Sequence, residues 1–92
     1  MTFYYVYVLL NLANNKNYIG YTTDLRKRIV GHKSGNTNTT RGKDYELIYY
    51  EAYRNKADAL GREKFLKGGS GGKCLKKQLA YYLVEDVSST YE

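Results

Sequence analysis

The sequence predicts an α+β fold, an α/β sandwich in which a three-stranded antiparallel sheet is flanked by three helices in the order β-β-α-β-α-α. Three observations predict it. An aromatic and β-branched run opens the chain without a breaker, a short Asn-rich turn sends a second such run back, and side-chain caps alternate with helical spacing around a third. With 92 residues and 10.6 kDa the chain holds one domain. Its 42% hydrophobic and 26% charged residues are a globular balance, not that of a disordered chain.

Residues 3–12 form the first strand. Both of its faces are apolar or aromatic, which places it centrally in the sheet. Asn14-Asn15-Lys16 is the turn, because Asn tolerates the left-handed backbone of tight hairpins. Residues 17–21 return as the second strand. Thr22-Thr23-Asp24 supplies capping oxygens for a helix over Leu25–Lys33. Residues 34–42, SGNTNTTRG, read as an exposed loop, and 44–53 as the third strand. Asn55 caps a second helix, Lys56–Lys67, mildly weakened by Gly61. GGSGG at 68–72 reads as a flexible joint, and 73–83 as a basic amphipathic third helix. The domain spans 1–92, with a polar tail from about 85.

Fifteen Lys and Arg against nine Asp and Glu give a net charge of +6. Glu85, Asp86 and Glu92 lie in the tail, so the body before them is more basic still. Such a body suits a polyanion, either nucleic acid or an anionic membrane surface. The aromatic residues are 12 Tyr and two Phe with no Trp, a choice suited to strands half in contact with solvent or ligand. The single cysteine, Cys74, excludes an intramolecular disulfide framework and a cysteine-rich zinc site. No apolar run reaches about 18 residues, and the N-terminus lacks the pattern of a secretory signal. The expectation is a cytoplasmic monomer without membrane contact.

Several polar residues fall on apolar faces. In the first helix Leu25 and Ile29 mark the inward stripe, and Arg28 and His32 lie on or beside it, four residues apart. Arg26 and Lys27 point elsewhere. An edge Arg and a hydrogen-bonded core His are the plain alternative. In the second helix Ala59, Leu60 and Leu66 define the inward face, with Glu63 in the middle of that arc. A carboxylate there needs either a basic partner such as Arg28 or a metal ion, and one site can contain both. On the first strand Tyr5, Tyr7 and Leu9 share one face; on the second, Tyr18 and Gly20 share one. The hairpin places Tyr7 across from the region of Gly20, whose missing side chain admits a close neighbour. Tyr7, Tyr18, Arg28, His32 and Glu63 thus converge on one concave patch.

Tyr5-Val6-Tyr7, ten residues, then Tyr18-Ile19-Gly20 resembles the paired strand motifs of the GIY-YIG nuclease superfamily. The resemblance continues through residues 22–28 (TTDLRKR), His32 and Glu63, and covers about residues 3–83. It is nearest to the small stand-alone members, which are similar to the N-terminal catalytic domain of the C component of excinuclease ABC. It implies a metal-dependent endonuclease that hydrolyses phosphodiester bonds in DNA, structure-selective and linked to DNA repair, with one Mg²⁺ or Mn²⁺. It also implies roles. Tyr18 corresponds to the general base, Tyr7 to a supporting tyrosine, Arg28 to the phosphate-stabilising arginine and Glu63 to the metal ligand. His32 stands where the family places His or Tyr near the nucleophile. The chain departs from the pattern at Tyr5 (Gly in the family), at Tyr21 (Lys in the excinuclease relatives) and in lacking a late Asn, near whose place Lys77 stands.

A phenol with the usual pKa of about 10 is a weak base and an imidazole near 6.5 an ordinary one, so Tyr18 and His32 both remain candidates. Arg26, Arg41, Lys43, Lys73, Lys76 and Lys77 are the expected backbone contacts to nucleic acid, with DNA ahead of RNA and a repair protein as a further partner. The alternatives are a nucleic-acid-binding domain of the same fold with weak or partner-dependent cleavage, and an interaction module whose charge serves solubility.

Overall fold

The structure, a computed structural model, describes residues 1–33 and 45–82, with only the backbone described at 32 and 33. The elements run β1 (Tyr4–Asn11), β2 (Lys16–Thr22), α1 (Leu25–Lys33), β3 (Tyr45–Tyr53), α2 (Lys56–Lys67) and α3 (Gly69–Gln78). The expected loop at 34–42, the first residue of the expected third strand and the tail lie outside the described residues.

The sheet order is β2-β1-β3, and both pairings are antiparallel. The central strand is the one with two apolar faces, and its residues 6–11 are all buried. The hairpin turns where the Asn residues predict. Asn15 takes φ 58°, its N–H donates to Asn11 O at 2.8 Å, and the Asn11 side chain accepts from Ala13 N at 2.9 Å. Tyr7 therefore faces Gly20 on one side and Tyr50 on the other. The β1–β3 register shifts between Val8 and Leu9, a bulge that increases local twist.

One face of β1, Val6 and Val8, packs under Ala59 and Leu66 of α2 and under Leu75 and Leu79, forming the main core. On the other face α1 lies against β3, and Leu25, Ile29 and Val30 share a groove with Tyr5, Leu47 and Tyr50. Both expected caps are present: Asp24 Oδ1 accepts from Lys27 N at 3.1 Å, and Asn55 Oδ1 from Ala57 N at 2.8 Å.

The flexible joint expected at 68–72 is instead the start of a helix. α3 begins at Gly69, four residues before the sequence-based boundary, and ends at Gln78. Gly68 N–H donates to Phe65 O at 3.1 Å, closing α2, and Gly72 N–H returns to Gly68 O at 3.1 Å. A β-carbon at buried Gly71 would fall on the Phe65 carbonyl and Leu66 Cα. That glycine allows the first turn of α3 to abut the last turn of α2, which favours close packing over mobility.

Candidate active site

Tyr7 is the centre of the site. It is fully buried, and a β-carbon at Gly20 would land on its phenol oxygen and Cζ. Gly20 has no left-handed φ, so the position requires space rather than a special backbone. Burial, reinforced by the neighbouring Tyr18 and Glu63, pushes the Tyr7 phenol up to about 12, against the opposing pull of the Arg28 guanidinium. Tyr7 is therefore neutral at pH 7.

Tyr18 comes from the cross-strand neighbour, paired with Leu9. Its ring sits 6.5 Å from that of Tyr7, tilted 37°, and 6.5 Å from Tyr45, edge-on at 79°. It borders a groove of about 430 Å³ with Leu66, Lys67, Gly72 and Leu75. Arg28 is exposed along its length and lines a separate polar groove of about 480 Å³ with Thr22, Thr23, Asp24 and Lys27. Lys27, expected to point elsewhere, shares that groove.

Glu63 lies on the α2 seam between Ala59 and Leu66, the buried residues of that helix, and its side chain keeps 20% exposure. Its ion-pair partner is Lys67, 3.2 Å away at i+4. Leu60, expected inward beside it, is 40% exposed, because α2 buries only the narrow stripe through Ala59 and Leu66. Lys67 was missed in the sequence, although Glu followed four residues later by Lys is a readable signal. The structure brings the Tyr7 and Tyr18 rings together, with Arg28 and Glu63 within electrostatic reach of Tyr7, while Arg28 and Tyr18 line separate grooves. His32 is on α1, and its side chain lies outside the described residues, as do Arg41 and Lys43. Arg26 borders the Tyr5 groove, away from Arg28, and Lys73, Lys76 and Lys77 are exposed on α3.

The departures from the family pattern fall beside this cluster. Tyr5 lies near Tyr50, with ring centroids 6.2 Å apart, and lines the groove of about 510 Å³ under α1. Tyr21 points to the opposite face from Tyr18 and Gly20 and stacks on Tyr4 at 6.5 Å and 8°. Among the described residues no three His, Cys, Asp or Glu side chains gather to cage a metal. A single exposed-edge carboxylate with a displaceable lysine does fit a hard divalent ion that keeps its waters and takes its other ligands from a phosphate. No described helix is long and apolar enough to cross a membrane.

Residues 3–76 match the GIY-YIG catalytic domain family. A UPF0213 protein of Pediococcus acidilactici is 36% identical over 77 residues, covering 79% of this chain and 78% of the relative. One from Clostridium perfringens is 38% identical over 65 residues, 68% of this chain and 69% of its own. The solution NMR structure of a UPF0213 protein from Bacillus halodurans matches with a TM-score of 0.54 at 31% identity, covering 83% of this chain and 84% of that one. With the YIG strand, the arginine on α1 and the glutamate on α2 in place, the chain belongs to the GIY-YIG family of nucleases, among its UPF0213 members.

Proposed function

We propose that this protein is a divalent-metal-dependent endonuclease that hydrolyses phosphodiester bonds in DNA, selects structured DNA and serves DNA repair. The observation that carries the reading is the GIY-YIG catalytic-domain match over residues 3–76, with Gly20 leaving the space that the buried Tyr7 phenol fills beside the Tyr18 ring. Glu63 would hold a Mg²⁺ or Mn²⁺ ion, giving up Lys67 as partner. When bound, such an ion neutralises charge on the phosphate and acidifies coordinated water. Arg28, in the groove beside Lys27 and Asp24, would present its fork to the non-bridging oxygens. Tyr18, once ionised, would take the water proton, with neutral His32 as the rival base. Lys27 and Arg26 flank this position on α1, and Lys73, Lys76 and Lys77 extend the basic surface on α3 toward the backbone of the DNA.

The test is incubation with labelled plain, nicked, flapped and branched DNAs in Mg²⁺, Mn²⁺ or EDTA, with Glu63→Gln alongside. Metal-dependent cutting that Glu63→Gln abolishes supports the reading; cutting that persists in EDTA or in Glu63→Gln overturns the assigned chemistry. Binding without cutting under every condition favours the alternative, a nucleic-acid-binding domain. About five phosphate contacts predict a log–log salt slope of roughly −4 to −5 on duplex, and a flat response removes nucleic acid as the partner.

A further inference from the structure

A second polar cluster lies on the core side of the sheet, apart from Tyr7 and Tyr18. Arg62, the residue before Glu63, clamps the Glu51 carboxylate of β3. Its Nε is 3.0 Å from Oε1 and 3.2 Å from Oε2, and Nη2 is 3.1 Å from Oε2. The Tyr53 and Tyr49 hydroxyls donate to the two carboxylate oxygens, each at 2.5 Å. Arg62 Nη2 also donates to Gln78 Oε1 at 3.0 Å, and Gln78 Nε2 donates to Tyr49 Oη at 3.3 Å. The Arg62 guanidinium lies 5.3 Å from the Phe65 ring centroid. The ring of hydrogen bonds closes through β3, α2 and α3. The Arg62 and Glu51 side chains are 23% and 14% exposed, so this is not a loose surface pair.

We propose that the Glu51–Arg62 clamp is the positioning device for the Glu63 carboxylate, a role that rests on the reading of Glu63 as the ion-holding group. The buried stripe of α2, Ala59 and Leu66, holds the helix to the sheet but is non-directional. A bidentate arginine fork is directional. Consecutive helical residues stand 100° apart, so fixing the azimuth of Arg62 fixes that of Glu63. A rotation of about 10° moves a group roughly 6 Å from the helix axis by about 1 Å. Misplacement on that scale costs about 10²-fold in rate, and loss of residues that orient a metal ligand typically costs about 10–100-fold.

The experiment uses the full chain with Arg62→Ala, Arg62→Lys and Leu79→Ala. Leu79→Ala weakens the core and removes none of the clamp's hydrogen-bonding side chains. Three readouts are taken: the melting temperature, kcat and KM for DNA cleavage well below it, and the ¹³Cζ resonance of Tyr7, which senses the Glu63 charge. Arg62→Ala is expected to lower kcat about 10–100-fold with KM within about threefold, and to move the Tyr7 resonance as Glu63→Gln does. Arg62→Lys, a cation without the fork, falls between. Leu79→Ala melts earlier but keeps kcat and the resonance. A folded Arg62→Ala with kcat within about twofold of the parent, or Leu79→Ala reproducing both effects, overturns the proposal. If Arg62→Ala does not fold, Arg62→Lys and Tyr53→Phe decide by the same readouts. A parent that does not cut refutes the nuclease reading alone, and the Tyr7 resonance then decides the clamp: unmoved in the Arg62 variants, it overturns it.

Discussion

Replacing Gly20 by Ala tests why the YIG glycine is a glycine. The added methyl would occupy the volume of the Tyr7 Oη and Cζ, and Tyr7 is fully buried with no room to withdraw. Gly20 lies in β2 without a left-handed φ, so alanine meets no backbone penalty, and the whole effect comes from overpacking. Overpacking of this kind costs about 1–3 kcal/mol. In a domain this small each kcal/mol lowers the melting temperature by about 4–8 °C, so Gly20→Ala should melt about 4–24 °C early. The remedy is specific. Tyr7→Phe removes the hydroxyl but keeps Cζ in the way, and should not rescue. Tyr7→Val removes the ring and destabilises by itself, but adding Gly20→Ala to it should then cost little, leaving a coupling of about 1–2 kcal/mol in a double-mutant cycle. Circular dichroism melts and urea titrations of the four proteins measure it. A Gly20→Ala variant melting with the parent, or a cycle with zero coupling, would refute the assignment of this glycine to the Tyr7 phenol.

Arg28→Ala should lower turnover about 10²–10³-fold, while Arg26→Ala, on the other groove, mainly weakens DNA binding; equal effects would mean that α1 is rotated from its position against Tyr7. Tyr18→Phe should bind DNA normally and lose about 10²–10⁴ in rate if its hydroxyl is the base, whereas a dead His32→Ala beside an active Tyr18→Phe transfers that role to the histidine. The Arg62 fork and two phenols hold Glu51 below its usual value despite burial. Its stabilising share is therefore full above the ordinary carboxylate pKa and lost as pH falls through the lowered one, so Glu51→Gln should flatten the acid limb of stability against pH. Tyr7 and Tyr53 ionise near 12 in the folded chain against 10 ordinarily. Stability from these phenols is full below pH 10 and lost as pH rises toward 12, and absorbance titration near 295 nm should show a late-ionising group of tyrosines that Tyr7→Phe reduces by one.

Local features were legible, and so were the antiparallel sheet and the central place of its first strand; how the helices lie on that sheet was not. Asp24 and Asn55 announce the starts of α1 and α2 because capping is read within three residues. Asn15 announces the hairpin, and the hairpin brings Tyr7 opposite Gly20, so half of the site follows from one turn. The glycine run at 68–72 misleads because composition does not distinguish a glycine that gives freedom from one that permits contact. Gly71 is of the second kind, which only its position over the Phe65 carbonyl reveals. Leu60 and Glu63 look alike in a helical projection. Which of them faces the sheet depends on how α2 lies across it, and that is set by Arg62 meeting Glu51, 11 residues away in the chain and on another element.

The tyrosine excess acquires a physical reason once these positions are known. A buried Lys or Asp in the place of Tyr7 would carry a desolvation penalty, and a Phe would offer no oxygen there. A phenol is neutral at physiological pH, fills a core position and still offers an oxygen. The same reasoning applies on the opposite face, where Tyr49 and Tyr53 donate to Glu51 without adding charge to an already neutral ion pair. Tyr4 and Tyr21 use only their rings, stacked at the edge of the core. In the basic body of this chain neutral phenols let polar geometry be built inside the sheet while the cations stay on the surface, where a polyanion meets them. The tyrosine excess, suited to strands half in contact with solvent or ligand, thus has several structural uses, and Tyr18, half-buried beside the Lys67 groove, is among the phenols that a substrate can reach.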